Sequence, residues 1–462
     1  KKKSFMMRFI TETEAITYVF ESLARTNWRE RGLDEHTRDL SPSRKLLMVT
    51  GLLDTRREYA VVTGSKGKGS VTAITAKLLQ SLGHTVGMVT SPHLTTYRQR
   101  FRVNGKMISE SDLVRIISEL SPHIDAVNAT LEEGRYLSPQ GIFLATALKW
   151  FDEQNVTVAI IEVGRGGRYD DNSLVSNRLS LFTPIIIEHA RYLGKTLDRI
   201  AWHKAGIIKP HSTAYSLPQA PIVMDTLRRE ADTVDARFEW LASTDMGEYL
   251  GHTKDGQLGM RVNMGRYGEV VIPMLGRYEI ENASLAVWAA GNLHGRLKTD
   301  IKHGSSEYVD KIRHGLEHVF WPGRCQKLQD SPAVYIDGAI NPLSAKSFVD
   351  SVRDFLTQPV VAVLAVPYDR DLDGVGKIFA QISQTIILTQ TNRNVAIPFP
   401  LPEDAMKVVK QYHDHVYFAP TVAEAIDLAK KYATPNGTVL LSVAQPAIGD
   451  AMHYYDLHYE TI

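Results

Sequence analysis

Residues 156–163 read VTVAIIEV. A nearly continuous apolar run, rich in β-branched side chains, suits a strand buried on both faces, and such strands belong to parallel sheets covered by helices. Tyr59–Thr63 (YAVVT), Thr85–Thr90 (TVGMVT) and Leu179–Ile187 are further strand candidates. Helical spacing lies between them. Val71, Ile74, Leu78 and Leu82 share one face of a helix over 71–82, and Phe143–Phe151 reads as another helix. Strands alternating with helices predict an α/β chain built on a parallel sheet.

From about Gly247 to Pro273 the pattern changes. Segments such as MRVNMGRYGEVVIPM predict an antiparallel hairpin region, followed by a helix from Asn282 to Leu293. A second α/β segment then supplies the strands AVYID, VVAVLAV, TIILTQ and TVLLSV. Pro and Gly in Trp321–Gly323 break regular structure. The expected division is a domain over 1–320 and a smaller one over 321–462.

Lys and Arg (53) balance Asp and Glu (52), which argues against a polyanion as the main partner. The single cysteine, Cys325, permits neither an intrachain disulfide nor a cysteine-based zinc site. The start KKKSFMMRFITETEA is basic but lacks the apolar stretch of a signal peptide. No window approaches the ~18 apolar residues of a transmembrane helix. These features predict a soluble cytoplasmic protein that spans no membrane and binds no nucleic acid.

Val61–Ser70 reads VVTGSKGKGS, a strand, a glycine-rich turn and a helix start. That order is the context a phosphate loop requires. Glycines let backbone N–H groups approach phosphate, and the helix N-terminus adds a favourable dipole. The expected nucleotide-binding residues are Gly64, Ser65, Lys66, Gly67, Lys68, Gly69 and Ser70. Lys68 reaches the outer phosphates, and Ser70 caps the helix and contacts metal or phosphate. The spacing from Gly64 to Gly67 is tighter than in a Walker A loop.

Further motifs follow in order. They are TSPHL at Thr90–Leu94, RQRFRVNG at Arg98–Gly105, EVGRGGRYD at Glu162–Asp170, EHARYLGKTLDRIAWHKAGIIK at Glu188–Lys209, WPGR at Trp321–Arg324 and DGAINP at Asp337–Pro342. Together with TGSKGKGS, where the family loop reads TGTNGKGS, the set resembles the folylpolyglutamate synthase/dihydrofolate synthase family of the Mur ligase superfamily. The resemblance spans residues 60–345. It implies a P-loop Mur-ligase-type central ATPase domain with a parallel sheet, and a smaller C-terminal Rossmann-like α/β domain.

The implied activity is ATP-dependent joining of a carboxylic acid to an amine through an acyl phosphate. A carboxylate is a poor acyl donor because its leaving group would be oxide, and phosphoryl transfer supplies a better one. Two Mg²⁺ ions offset the negative charge in such reactions. By resemblance, Ser91 holds the magnesium at the ATP phosphates, while Glu162 and His189 bind the second. Lys68, His189 and Lys204 are the implied catalytic residues, with Lys204 matching a lysine that becomes carbamylated. Asn282 matches an asparagine near the adenine, and Arg324 and Asp337 match residues that grip ATP from the second domain. A K⁺ site and a monomeric state are also implied. The implied partners are a folate- or pterin-like carboxylate and an amino acid or other amine.

The chain departs from the family pattern at several places. Ile340 and Ala444 stand where the family has a histidine and a serine on the amino-acid side. Both changes remove hydrogen-bond donors that would hold a carboxylate. Glu188 replaces an aspartate, Tyr278–Glu279 a His-Gln pair, Phe143 a glutamate, Arg165 a leucine, His203 a glutamate, and Asp170–Ser173 (DDNS) a DATN. Three readings follow: a glutamate-adding folate ligase, a related ligase for a different carboxylate or amine, and a non-catalytic nucleotide- or folate-binding protein.

Overall fold

A computed structural model describes residues 7–53, 57–253, 257–394 and 397–462. The basic start at 1–6 lies outside them. The first α/β unit holds strands β1 (Glu58–Thr63), β2 (Val86–Val89), β3 (Phe101–Val103), β4 (Lys106–Met107), β5 (Val158–Glu162), β6 (Leu179–Phe182), β7 (Thr213–Ser216) and β8 (Arg237–Trp240). They form one sheet in the order β4-β3-β2-β5-β1-β6-β7-β8. From β2 through β8 the neighbours pair in parallel.

The far edge adds two antiparallel strands to the expected parallel sheet. β3 runs antiparallel to β2, and β4 to β3. The RQRFRVNG motif contains this hairpin: Asn104 and Gly105 form its two-residue turn, with φ of 48° and 77°. Turns of this kind match the twist of the strands they join. Leu179–Ile187 also differs, because the strand stops at Phe182. Pro184 then carries the chain away from the sheet, and its carbonyl accepts the backbone N–H groups of Ser65 (2.8 Å) and Lys66 (3.4 Å).

Both faces of the sheet are covered. On one face, the helices Glu12–Ala24, Glu110–Asn128 and Pro139–Glu153 bury an apolar layer that includes Val61, Ile161 and Phe143. On the other, Lys68–Ser81, Glu279–His294 and Ser306–Glu317 bury Val62, Ile160 and Leu78. The helix expected from Asn282 begins a turn earlier, at Glu279, and the one expected from Phe143 begins at Pro139. The antiparallel region is a separate sheet in the order β11-β10-β9, from β9 (Glu248–His252), β10 (Met260–Asn263) and β11 (Glu269–Ile272).

The second unit has β12 (Gln326–Asp330), β13 (Ala333–Asp337), β14 (Val360–Ala365), β15 (Thr385–Leu388), β16 (Val416–Phe418) and β17 (Thr438–Val443). Their order is β12-β13-β17-β14-β15-β16, and every pair but β12–β13 is parallel. The two units are joined twice. Residues 318–325 lead from the first to the second. The segment 457–462 then returns, with Met107 donating its N–H to the Glu460 carbonyl at 2.9 Å. The buried Arg102 guanidinium donates to the carbonyls of Gly105 (2.8 Å), Glu460 (3.1 Å) and Tyr459 (2.8 Å).

The helices Lys68–Ser81 and Glu279–His294 are joined at their far ends by two buried imidazoles. His84 Nε2 and His294 Nδ1 are 2.8 Å apart, and His294 Nε2 is 2.8 Å from the Ile301 carbonyl. A carbonyl only accepts, so His294 carries its proton on Nε2 and His84 is the donor between the rings. Burial, with His294 adding to it, pushes His84 down from 6.5 to about 4. The unfolded chain therefore takes up this proton first as pH falls. The expected loss between pH 8 and pH 5 is about 2 kcal/mol of stability. Thermal unfolding of wild type and His84→Gln at both pH values checks it, because the variant should show a smaller difference.

Candidate active site

The loop between β1 and the helix Lys68–Ser81 has a shape that only glycine tolerates. At Gly64 φ is 147° and an added Cβ would lie 1.9 Å from Thr183 Oγ1. At Gly67 φ is 84° and a Cβ would meet the Asn282 amide oxygen at 2.5 Å. Positive φ and close approach of this kind are what a glycine-rich phosphate loop requires. Trp321, from the connection to the second unit, packs over Gly69, where a Cβ would be 2.9 Å from its Nε1.

Ser70 corrects one expectation. It is the third residue of the helix, past the capping position, and its hydroxyl donates to Glu279 Oε1 at 2.8 Å. Asn282 Nδ2 donates to the other oxygen of the same carboxylate at 3.0 Å. Burial pushes Glu279 up to about 7. These contacts seat the helix that carries Asn282 directly on the loop.

Two lysines converge on one carbonyl. Lys68 Nζ donates to Gly64 O at 3.1 Å and Lys204 Nζ at 2.7 Å. Lys204 also reaches Glu188 Oε1 at 3.3 Å. Burial pushes the Lys204 amine down to about 8, against the pull of Glu188. Burial alone would raise Glu188, but Lys204, Lys68, His189 and Lys66 outweigh it and hold its carboxyl at about 2. The substitution at Glu188 thus keeps the charge the site needs. His189 has φ 50° and starts a short helix, and burial pushes its imidazole down to about 3. His203, beside Lys204, is buried and its Nε2 has no partner among the described residues.

Glu162 ends β5, and the Ser91 backbone N–H donates to its Oε2 at 3.1 Å. Burial pushes this carboxyl up to about 7, against the opposing charge of Lys68. The Ser91 hydroxyl is buried without a partner among the described residues. An orphaned hydroxyl beside a buried carboxylate fits a hard cation with oxygen ligands. Among the described residues no group of three or more His, Cys, Asp or Glu encloses a metal. Magnesium fits that arrangement, because it keeps waters and takes substrate phosphates as ligands. Phe143, at the place of a family glutamate, is an apolar residue packed on Tyr97 and Phe101.

The second unit faces this set with the carboxyl ends of its parallel strands, where α/β sheets bind ligands. Arg324 Nη2 donates to Gln445 Oε1 at 3.0 Å. The Asp337 carboxylate accepts from the Tyr278 hydroxyl and, at 2.8 Å, from the Cys325 N–H. Both bonds reach Oδ2 and hold Asp337 against the turn that carries Arg324. Tyr278 replaces a family residue at the very contact that makes this tie. Ile340 is half-buried at the end of β13, and Ala444 is buried at the start of the last helix. Neither side chain has a donor. Leu94 packs into the core of the second unit and its carbonyl accepts from Arg393 at 3.2 Å, coupling the Ser91 loop to that unit.

Sequence reasoning missed Arg370. It follows β14 in a turn held by the bond from its N–H to Pro367 O at 3.0 Å. It lies close enough to depress both His189 and Lys66. A basic residue in the short turn PYDR that follows the apolar run VVAVLAV was the available signal.

Residues 62–290 match the Mur ligase middle domain, and residues 323–444 match the Mur ligase glutamate ligase domain. A dihydrofolate synthase/folylpolyglutamate synthase of Bacillus subtilis is 32% identical over 332 residues, which cover 70% of this chain and 74% of the relative. The chain belongs to the folylpolyglutamate synthase/dihydrofolate synthase family of Mur ligases. It is an ATP-dependent ligase of that type. A second family member, from Mycobacterium tuberculosis, is 28% identical over 437 residues, covering 88% of this chain and 85% of its own. The solved Mycobacterium tuberculosis folylpolyglutamate synthase complexed with ADP and AMPPCP superposes with a TM-score of 0.81 at 25% identity, covering 97% of this chain and 99% of that one.

Proposed function

We propose that the chain adds glutamate to a folate- or pterin-type carboxylate. The observation that carries this reading is the convergence, at the carboxyl ends of β1, β2 and β5, of the glycine loop, the Lys68–Lys204–Glu188 group and the unpartnered Ser91 hydroxyl beside Glu162. ATP and magnesium, when bound, supply the phosphoryl group that turns a carboxylate into an acyl donor. Ser91 would hold the first cation, and Glu162 and His189, with a carbamylated Lys204, the second. A lowered amine pKa favours carbamylation, since the neutral amine is the form that reacts. Arg324 would bring positive charge from the second domain as the cleft closes across a boundary near residue 320. Balanced charge supports small-molecule partners rather than nucleic acid, and the family resemblance supports a cytoplasmic monomer.

Ile340 and Ala444 favour a second reading, in which the same ATP chemistry serves another amine. The discriminating measurement is phosphate release from MgATP with dihydropteroate or tetrahydrofolate, with and without glutamate. Glutamate-dependent release and a product heavier by one glutamyl residue establish the first reading. Release only with another amine from a panel establishes the second. No release with any amine, despite ATP binding, sinks both.

A further inference from the structure

Lys66 is the cation of the loop that the family pattern leaves unassigned, since TGTNGKGS has an asparagine where this chain has Lys66. It sits between Gly64 and Gly67, two residues before Lys68. Its backbone N–H is turned toward Pro184 O at 3.4 Å. Its ammonium has no hydrogen-bond or ion-pair partner among the described residues. The charged groups that act on it are Glu188 from the first unit, and Arg324, Arg370 and Asp337 from the second. Lys68, in contrast, acts on Glu162, Glu188 and Lys204, all in the first unit. Lys66 therefore lies on the side of the loop that faces the cleft between the units.

Cations gather around this loop: Lys66, Lys68, Lys204, Arg324 and Arg370, of which Lys204 is paired with Glu188 and Arg370 with Asp369. Lys66 is half-buried, and a partly desolvated cation without a partner favours a ligand that supplies the countercharge. Glu188 is already engaged by Lys204, and Asp337 by Tyr278 and Cys325. A phosphate loop delivers its inner amides to the inner phosphates, so a cation on the cleft side is left for the outermost one.

Building on the ATP-dependent reading above, we propose that Lys66 is a second phosphate-binding lysine of this loop and holds the terminal phosphoryl group of the bound nucleoside triphosphate from the cleft side. The test is calorimetric binding of ADP and of AMPPCP, each with magnesium, to wild type, Lys66→Asn, Lys66→Ala and Lys66→Arg. Loss of one charge-assisted bond to the terminal phosphoryl should weaken AMPPCP by about tenfold or more in the Asn and Ala variants. ADP affinity should stay within about threefold, and Lys66→Arg should retain most of the AMPPCP affinity. Equal weakening of both nucleotides would overturn the assignment, because it reports a disturbed loop or a contact to inner phosphates. So would unchanged binding of both. If wild type binds neither nucleotide, the ATP-dependent reading itself falls.

Discussion

Replacing Lys68 with Met should lower kcat/KM for MgATP by about a thousandfold while leaving the fold intact. The ammonium rests on Gly64 O at 3.1 Å and imposes its charge on Glu162, Glu188 and Lys204. A preorganised cation aimed at developing phosphoryl charge in a water-poor site contributes about 3–4 kcal/mol to the transition state, which is that factor in rate. Stability should hardly move. Lys204 keeps the Gly64 carbonyl satisfied at 2.7 Å, so no buried acceptor is orphaned. Steady-state kinetics and thermal unfolding on the same preparation check both halves. A rate within tenfold of wild type would remove Lys68 from the proposed role, and a collapse of the melting transition would make it a structural residue.

Glu162→Gln should give two changes of opposite sign. The substitution keeps the shape of the side chain but removes the charge beside Ser91, so activity should fall by about a thousandfold. The magnesium concentration for half-maximal rate should rise by about tenfold or more. The magnesium-free protein should become more stable. Burial moves this carboxyl from 4.5 up to about 7, so ionisation works against the folded state. Its contribution to stability is intact below pH 4.5 and is lost as pH rises through 7. At pH 8 the uncharged amide should recover at most about 3 kcal/mol. Melting curves at pH 8 without magnesium, set beside kinetic titrations with the metal, test the pair. A variant that is both less active and less stable would show that Glu162 serves the fold.

Much of this was legible because it is local. The run VTVAIIEV became β5, and the glycine loop lies between a strand and a helix as its composition required. The hairpin of β3 and β4 was hidden inside a segment whose basic residues drew attention before its Asn-Gly turn. Long-range partners were the true blind spot. Ser70 looks like a cap by position, but it lies past the cap and its hydroxyl donates to Glu279, 209 residues away. Glu188 reads only as a replacement for an aspartate, and the sequence does not show Lys204 3.3 Å from it. Asp337 reads as a nucleotide contact, but nothing in the sequence shows that Tyr278 and Cys325 both bond to its Oδ2. Side-chain pairing across such distances depends on topology, which periodicity does not encode.

The double connection between the two units restricts how the cleft can open. The outgoing chain and the returning segment pass side by side, with the rings of Phe320 and Tyr459 centred 5.4 Å apart and Gln326 bonded to the Tyr459 hydroxyl. Two strands of polypeptide fastened at one place behave as a door on adjacent pins. The second unit cannot slide along the first or spin relative to it without tearing the Glu460 and Tyr459 carbonyls from Arg102. A closure about the line of those pins would carry Arg324 and Arg370 along a single arc, so the cations of the second unit would meet the loop in one register.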